Sequence, residues 1–399
     1  MSELEEGRAV PRLYKLSYLE VALLEIPQKA SFESIRQALL RFAERTGEEQ
    51  MVPGVVSRLR DDYTFWSPTQ EALSELMHLH FVRQAPVPSS RQYVDDYRAT
   101  TYDLTPNGTR AVSQLVTRDP QARSSFLNTL STALVETHPG FADLLEAANN
   151  HPLCIPGYTV EKITNLIHGG AGSQRLADDA ISRMTKHWPK DTKRPKADDL
   201  VSQITASLNR RFPSNRARRP SQKDVLDTVD AAILNFTARA RNIHLDATSF
   251  NVCMSWAGQL AILEESRYVE DWPGRTVWAT AKLHNHGIQR RGFKEAGETV
   301  IQMLWSGFAK VAEAMPDARS SGYLPIYRVR AQAAFGAKVN LRLVDILLAR
   351  LLSGEIEAPY KVQVALGRGL PPPRSEPIFT HQGRRFFDIM ITEDTKKEV

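Results

Sequence analysis

Thr101-Tyr102-Asp103-Leu104-Thr105-Pro106-Asn107-Gly108-Thr109-Arg110-Ala111 decides how this chain is read. Tyr102 and Leu104 flank Asp103 in the alternation of a half-buried strand. Thr105 is suited to cap a helix, and Pro106 stands at the first helical position, where an N–H would have no partner anyway. Behind it Ala111, Val112, Leu115 and Val116 repeat at helical spacing. The stretch reads as a short strand that ends in Thr-Pro-x-Gly and opens a helix.

Three helices are expected upstream of it. Leu16, Leu19, Leu23 and Leu24 share a face in Lys15–Ile26, which Pro27 stops. Ser31 is placed to cap a second helix running to about Thr46, with Phe32, Ile35, Leu39, Leu40 and Ala43 inward and Gly47 beyond its end. Ser67 would cap a third from Pro68, with Ala72, Leu73, Leu76 and Leu79 on its face. Phe81-Val82 reads as a strand and Pro86 to Thr100 as the tip of a hairpin. The order helix, helix, helix, strand, tip, strand, helix over residues 12–118 resembles the winged-helix superfamily, in the manner of the MarR and PadR regulators. That resemblance implies a helix-turn-helix module whose third helix enters the major groove of DNA. Here the third helix carries Glu71 and Glu75, with Arg83 at its far end, and the tip sets Arg91 and Arg98 against Asp95 and Asp96. Such surfaces suit phosphates poorly. The N-terminal winged-helix-like domain, residues 1–118, is therefore expected to dimerise or to hold a protein partner.

Residues 119–190 read as a helical domain that could house a second helix-turn-helix. Phe126, Leu130, Ala133 and Leu134 pattern one helix, and Phe141, Leu144 and Leu145 another. The turn from Pro152 to Gly157 leads to helices at Thr159–His168 and Ser173–Trp188. Residues 191–223 read as a basic linker containing one short helix (Leu200, Val201, Ile204, Leu208). Residues 224–318 return to helical periodicity, with Val225, Val229, Ile233 and Phe236, then Val252, Trp256, Leu260 and Leu263, then Val300, Leu304, Phe308, Val311 and Met315. Residues 319–399 repeat the winged-helix-like order. Leu324–Phe335 is a first short segment, and Asn340 caps a helix bearing Leu343, Ile346, Leu347 and Leu351 that ends at Gly354. Tyr360–Leu366 alternates as a strand, Gly367–Pro377 makes a loop, and Ile378–Ile391 returns. The expected fold class is mainly α, multidomain, with winged-helix-like units at both ends and a helical middle.

Charge is distributed unevenly along these segments. The whole chain of 399 residues carries +5, yet Arg183–Lys223 holds twelve basic residues against Asp191, Asp198 and Asp199. That segment alone has a surplus of nine, so the remainder is net acidic. Local asymmetry of this size points to a polyanion, with Lys and Arg contacting phosphates and Trp188 and Phe212 interleaved among them. The cations expected to touch nucleic acid are Lys186, Lys190, Lys193, Arg194, Lys196, Arg210, Arg211, Arg216, Arg218, Arg219 and Lys223. Lys338, Arg342, Arg368 and Arg374 in the C-terminal unit join them, with Arg350 further along the same helix.

Enzymatic signatures are weak by comparison. His284-Asn285-His286 is too tightly spaced for the strand, loop and helix of an HNH nuclease, and His78-x-His80 has no recognisable third ligand. Asp61-Asp62, Asp95-Asp96, Asp178-Asp179 and Asp198-Asp199 pair neighbours that point apart on any regular element. His168-Gly169-Gly170-Ala171-Gly172-Ser173 lacks the lysine of a phosphate loop. Cys154 and Cys253 lie in apolar contexts and read as buried free thiols. Glu3, Glu5 and Glu6 replace the basic start of a signal peptide, and no apolar run has membrane-spanning length.

The expectation is a cytoplasmic, non-enzymatic nucleic-acid-binding protein with no cofactor or metal and no membrane partner. Its partner would be DNA, in duplex form, and it would serve as a regulator or as an accessory subunit of a DNA-processing or phage-defence assembly. Three alternatives stand beside it. These are a kleisin-like subunit bridging an SMC-type complex, a tandem winged-helix plasmid replication initiator, and a divergent metal-dependent nuclease built on the carboxylates.

Overall fold

The computed structural model describes residues 10–28, 30–46, 66–85, 100–117, 119–167, 172–190, 192–213, 221–272, 274–280, 290–317, 322–366 and 378–393. Among the described residues 63% are helical and 13% lie in strands, so the fold is mainly α, as the periodicities imply. No helix among the described residues is long and apolar enough to cross a membrane. Contacts gather the chain into two compact units. One comprises Met1–Ala142 with Thr248–Leu260, and the other holds most of the remainder.

The first unit opens with α1 (Leu16–Glu25), α2 (Phe32–Arg45) and α3 (Trp66–His78). Ser31 caps α2 by accepting from the Ser34 N–H. Ser67, expected to cap α3, lies inside it instead, because the helix starts at Trp66. Strands β1 (Val82–Gln84) and β2 (Tyr102–Leu104) pair antiparallel, Val82 opposite Leu104. Helix α4 (Pro106–Val116) follows, then α5 (Pro120–Thr137). The opening signature works as its residues suggest. The Thr105 hydroxyl accepts from the Gly108 N–H at 3.1 Å and donates to the His80 carbonyl at 2.5 Å. Gly108 is demanded by close approach, since a Cβ there would lie 1.9 Å from the Phe81 carbonyl oxygen.

One correction concerns α3. Glu75, read as part of its outward acidic surface, is fully buried and meets His138, just after α5, at 2.7 Å between Oε1 and Nε2. It stands one turn beyond Ala72, at the edge of the apolar row, and the chain after α5 covers that edge.

The second unit receives the chain through α6 (Pro139–Asn150), followed by β3 (Leu153–Ile155), α7 (Val160–Ile167), α8 (Gly172–Thr185), α9 (Ala197–Arg211) and α10 (Gln222–Ala240). Helix α11 (Ala247–Gln259) belongs almost wholly to the first unit. There Trp256 is completely buried and donates its indole N–H to the Leu13 carbonyl at 2.6 Å. Its ring lies against His138 and Phe141.

Two expectations fail in the second unit. The segment read as a linker is a core element, for Leu200 and Ile204 of α9 are wholly buried with Leu176, Met184, Val229 and Ile233. Prolines at 189, 195 and 213 bound this helix without breaking it. The stretch read as continuously helical contains β4 (Leu263–Ser266) and β5 (Arg275–Ala279), which form an antiparallel sheet in the order β3-β5-β4. Thr276, Val277 and Trp278 are buried in succession, so this central strand lacks the alternation that betrays a half-exposed one.

Helix α12 (Arg290–Ala314) then leads to β6 (Leu324–Pro325), α13 (Ile326–Ala337), α14 (Leu341–Leu352), β7 (Tyr360–Ala365), β8 (Phe379–His381), β9 (Arg384–Phe386) and β10 (Asp388–Glu393). The sheet order is β6-β10-β7, with Glu393 opposite Tyr360 and Asp388 opposite Ala365. Asn340 caps α14 through the Leu343 N–H at 2.8 Å. Gln382 and Gly383, both with positive φ, make the two-residue turn of the β8–β9 hairpin. The Arg330 guanidinium, 1% exposed, grips the Asp345 carboxylate with two contacts of 2.5 Å and ties α13 to α14. Trp278 donates to the Val339 carbonyl at 3.1 Å.

Candidate nucleic-acid interface

Helices α9 and α10 form an antiparallel pair. Lys196 shares a cleft with Arg239 and Ala240, the Gln203 amide donates to the Ala232 carbonyl at 3.0 Å, and Arg211 lies 3.9 Å from Asp224. As the number rises along one helix it falls along the other, so the start of α9 meets the end of α10. Leu200 and Ile204 hold this register from the buried side, while Gln203 lines the cleft together with the cations.

The start of α9 and the end of α10 enclose a cleft of about 690 Å³ lined by Lys193, Arg194, Lys196 and Arg239, with Asp199 the one lining acid. All four cations are exposed, and among the described residues none has a carboxylate in ion-pairing distance. Four uncompensated cations in one concave site raise the local concentration of anions. Asp198 and Asp199 occupy the first turn of α9, where the helix dipole favours acids.

The basic segment is thereby divided. Lys193, Arg194 and Lys196 border the cleft, whereas Arg210 and Arg211 stand in the last turn of α9 and Lys223 in the first turn of α10. At that far end the Asp224 carboxyl is held below its ordinary range, mainly by the hydrogen bond from the Ser221 hydroxyl and further by Arg211. Lys190 is exposed in the turn before α9. Lys186 points elsewhere, 4.0 Å from Asp271, which also meets Lys310 at 3.1 Å. Arg216, Arg218 and Arg219 lie outside the described residues, as do Arg368 and Arg374.

In the C-terminal region Arg342 is exposed on α14, and Arg350 pairs with Glu355 at 3.1 Å. Lys338 is half-buried with its ammonium 3.6 Å from the centre of the Phe335 ring, and burial lowers its pKa to about 8. Its contact is with an aromatic face, and it takes no part in the cleft.

The aromatic residues among the cations play a different part from the one expected. Trp188 is 9% exposed, belongs to the core, donates to the Thr192 carbonyl at 3.2 Å and lies under Arg241. That arginine is itself buried and bonded to the Ala147 and His151 carbonyls, and burial lowers its pKa to about 10. Phe212 is half-buried beside Arg211. Arg239 is the functional candidate missing from the sequence reading. It lies outside the 183–223 window, and only the antiparallel return of α10 brings it to Lys196.

Other chemical candidates have structural company. His78 Nδ1–H donates to the Ser74 carbonyl at 2.9 Å, and Asp179 binds the Tyr158 hydroxyl and Arg183. Among the described residues no three His, Cys, Asp or Glu side chains gather as metal ligands. His284–His286, Asp61-Asp62, Asp95-Asp96 and residues 168–171 of the glycine-rich stretch lie outside the described residues. Both cysteines are buried free thiols whose pKa burial raises to about 12. Comparison with protein-family models, with curated proteins and with solved structures finds no match for this chain.

Proposed function

We propose that this chain binds nucleic acid through the second unit, as a regulator or an accessory subunit of a DNA-processing or defence assembly. The observation that carries the reading is the cleft of Lys193, Arg194, Lys196 and Arg239, whose four cations face one acid and lack partners among the described residues. Phosphates would neutralise them, and each neutralised phosphate releases counterions, so affinity should fall steeply with salt. The C-terminal region supports the same reading. Its order of helix, strand, helix, helix and four strands, with β6-β10-β7 as one sheet and β8–β9 as a hairpin between the last two strands of that sheet, is compatible with a winged-helix unit.

The first unit supports a second role, attachment to a protein partner or to another copy. Tyr14, Leu24 and Val116 are large apolar side chains exposed by 44%, 44% and 63%, and Glu71 and His78 are the ionisable residues on the described outward face of α3. The N-terminal winged-helix-like order would here serve as an interface.

The primary test is titration of a labelled random-sequence duplex from 50 to 200 mM salt. Strong binding with a log–log slope of several units is expected. Neutralising Lys193, Arg194, Lys196 and Arg239 together should reduce that slope by roughly 3 to 4. An unchanged slope in this variant would sink the assignment. For the first unit, the solution mass of Leu24→Glu/Val116→Glu should fall to that of a monomer if self-association uses this face.

A further inference from the structure

The cleft is one of two basic ends on the α9–α10 pair, and the geometry points to a two-ended clamp across the major groove of B-form DNA. This inference rests on the nucleic-acid reading above and specifies its ligand. Lys196 stands just before α9 and Arg211 is its last residue. Fifteen residues of helix separate them, roughly 22 Å at the usual rise. The near end carries Lys193, Arg194, Lys196 and Arg239 against Asp198 and Asp199. The far end carries Arg210, Arg211 and Lys223 against Asp224 and Asp227. Cations outnumber acids at both ends.

Between those ends the exposed side of α9 is uncharged. Ser202, Thr205, Ala206 and Asn209 are exposed and spaced to share one face. All four are small, so the helix backbone can approach a surface closely, while the two ends hold charge on longer arms. The major groove of B-DNA is about 12 Å wide and admits a helix, and Lys and Arg side chains reaching inward from both ends close the remaining span. Each end then meets the phosphates of a different strand.

The alternatives fit less well. The minor groove, about 6 Å wide, is too narrow for α9. Double-stranded RNA has a deep, narrow major groove that excludes a helix lying across it. A single strand offers one backbone and engages the two ends only by following the full helix. Stacking platforms for single-stranded bases are also missing from the described part of this surface, because Trp188 is core and Phe212 is half-buried. The clamp therefore selects duplex DNA.

Fluorescence anisotropy on the full chain tests this with three probes of one sequence: duplex DNA, duplex RNA and single-stranded DNA. Duplex DNA is expected to bind at least tenfold more tightly than either other probe at 100 mM salt. One variant carries Lys193→Gln, Arg194→Gln, Lys196→Gln and Arg239→Gln, and the other Arg210→Gln, Arg211→Gln and Lys223→Gln. The first should lower the duplex salt slope by roughly 3 to 4 and the second by roughly 2 to 3, and their combination should erase the preference for duplex DNA. Arg239→Gln and Arg210→Gln alone repeat the comparison with the least perturbation, and thermal melting checks that each variant is folded. Equal wild-type affinity for duplex RNA or the single strand overturns the clamp and leaves nucleic-acid binding standing. A slope that depends on the cleft end only does the same, whereas one that depends on the far end only overturns the clamp and the cleft assignment together. Absence of salt-dependent binding to all three probes overturns the clamp and the underlying reading together.

Discussion

Each unit of this protein is pinned by a fully buried tryptophan that donates its indole N–H to a backbone carbonyl, yet the two pins span different lengths of chain. Trp256 reaches Leu13 across 243 residues, and Trp278 reaches Val339 across 61. The first unit takes its closing helix from the middle of the chain. The second builds its C-terminal region from consecutive elements, α12 to β10. Residues 10–142 therefore hold most of a core but lack the aromatic residue that completes it, and this unit can close only after α11 has been made.

The sharpest way to break that contrast is Trp256→Ala. Removing a buried tryptophan should cost about 4 kcal/mol and leave the Leu13 carbonyl without its donor. The first unit is expected to unfold at lower denaturant while signals from Trp278 keep their midpoint. A single shared transition would show that the two units do not unfold independently.

Polar pairs within the cores differ in the same direction. Glu75 meets His138 in the first unit, while Arg330 makes a two-contact pair with Asp345 between adjacent helices of the second. Arg330→Met strands a half-buried carboxylate, so a loss of about 2 to 3 kcal/mol is expected in urea denaturation. Arg330→Met/Asp345→Leu should regain most of it. If the double variant is as unstable as the single one, the pair does more than neutralise its own charges.

Close backbone approaches make a third contrast. A Cβ at Gly108 would strike the Phe81 carbonyl at 1.9 Å, whereas at Gly307 its nearest contacts on α13 are 3.3 Å away. Gly108→Ala should destabilise by about 2 kcal/mol by prising α4 from the hairpin. Gly307→Ala should cost less, because helix propensity offsets a mild crowding. Thermal melts of the two variants decide whether this ordering holds.

An effect that depends on pH belongs to the second unit alone. Burial raises the Asp230 carboxyl to about 6, and its Oδ1 has no hydrogen-bond partner among the described residues. Its folded pKa exceeds its unfolded one. Its contribution to stability is therefore fully present below about pH 4 and is lost as pH rises through 6. Asp230→Asn should then stabilise by about 2 kcal/mol at pH 7 and by nothing measurable at pH 4. Equal effects at both pH values would rule out titration as the cause.

Local chemistry was legible where it acts within a few residues. The caps at Ser31, Thr105 and Asn340 bond the N–H groups that their positions imply, and Pro106 and Gly108 occupy the roles their types suggest. Strand β5 is not legible because a strand buried on both sides shows no alternation, and β4, a four-residue edge strand reading Leu-Glu-Glu-Ser, has none either. Glu75 was misplaced because one position at the edge of an apolar row can face core or solvent, depending on what covers it. Three of the four cleft cations lay within the basic segment read from composition. Arg239 did not, because its place in the cleft depends on a return path of the chain.

The sequence by itself determined that this protein is mainly helical, where most of its helices begin and end, and that positive charge gathers near residues 183–223. Capping, proline and glycine geometry, and hydrophobic periodicity all operate over single helical turns, so they survive without a tertiary context. Tertiary structure alone decided that α11 joins the first unit, that α9 is core with a basic rim, and that one run of cations separates into two ends of a helix pair. Those outcomes depend on which apolar faces find one another across long stretches of chain, and burial is blind to distance along the sequence.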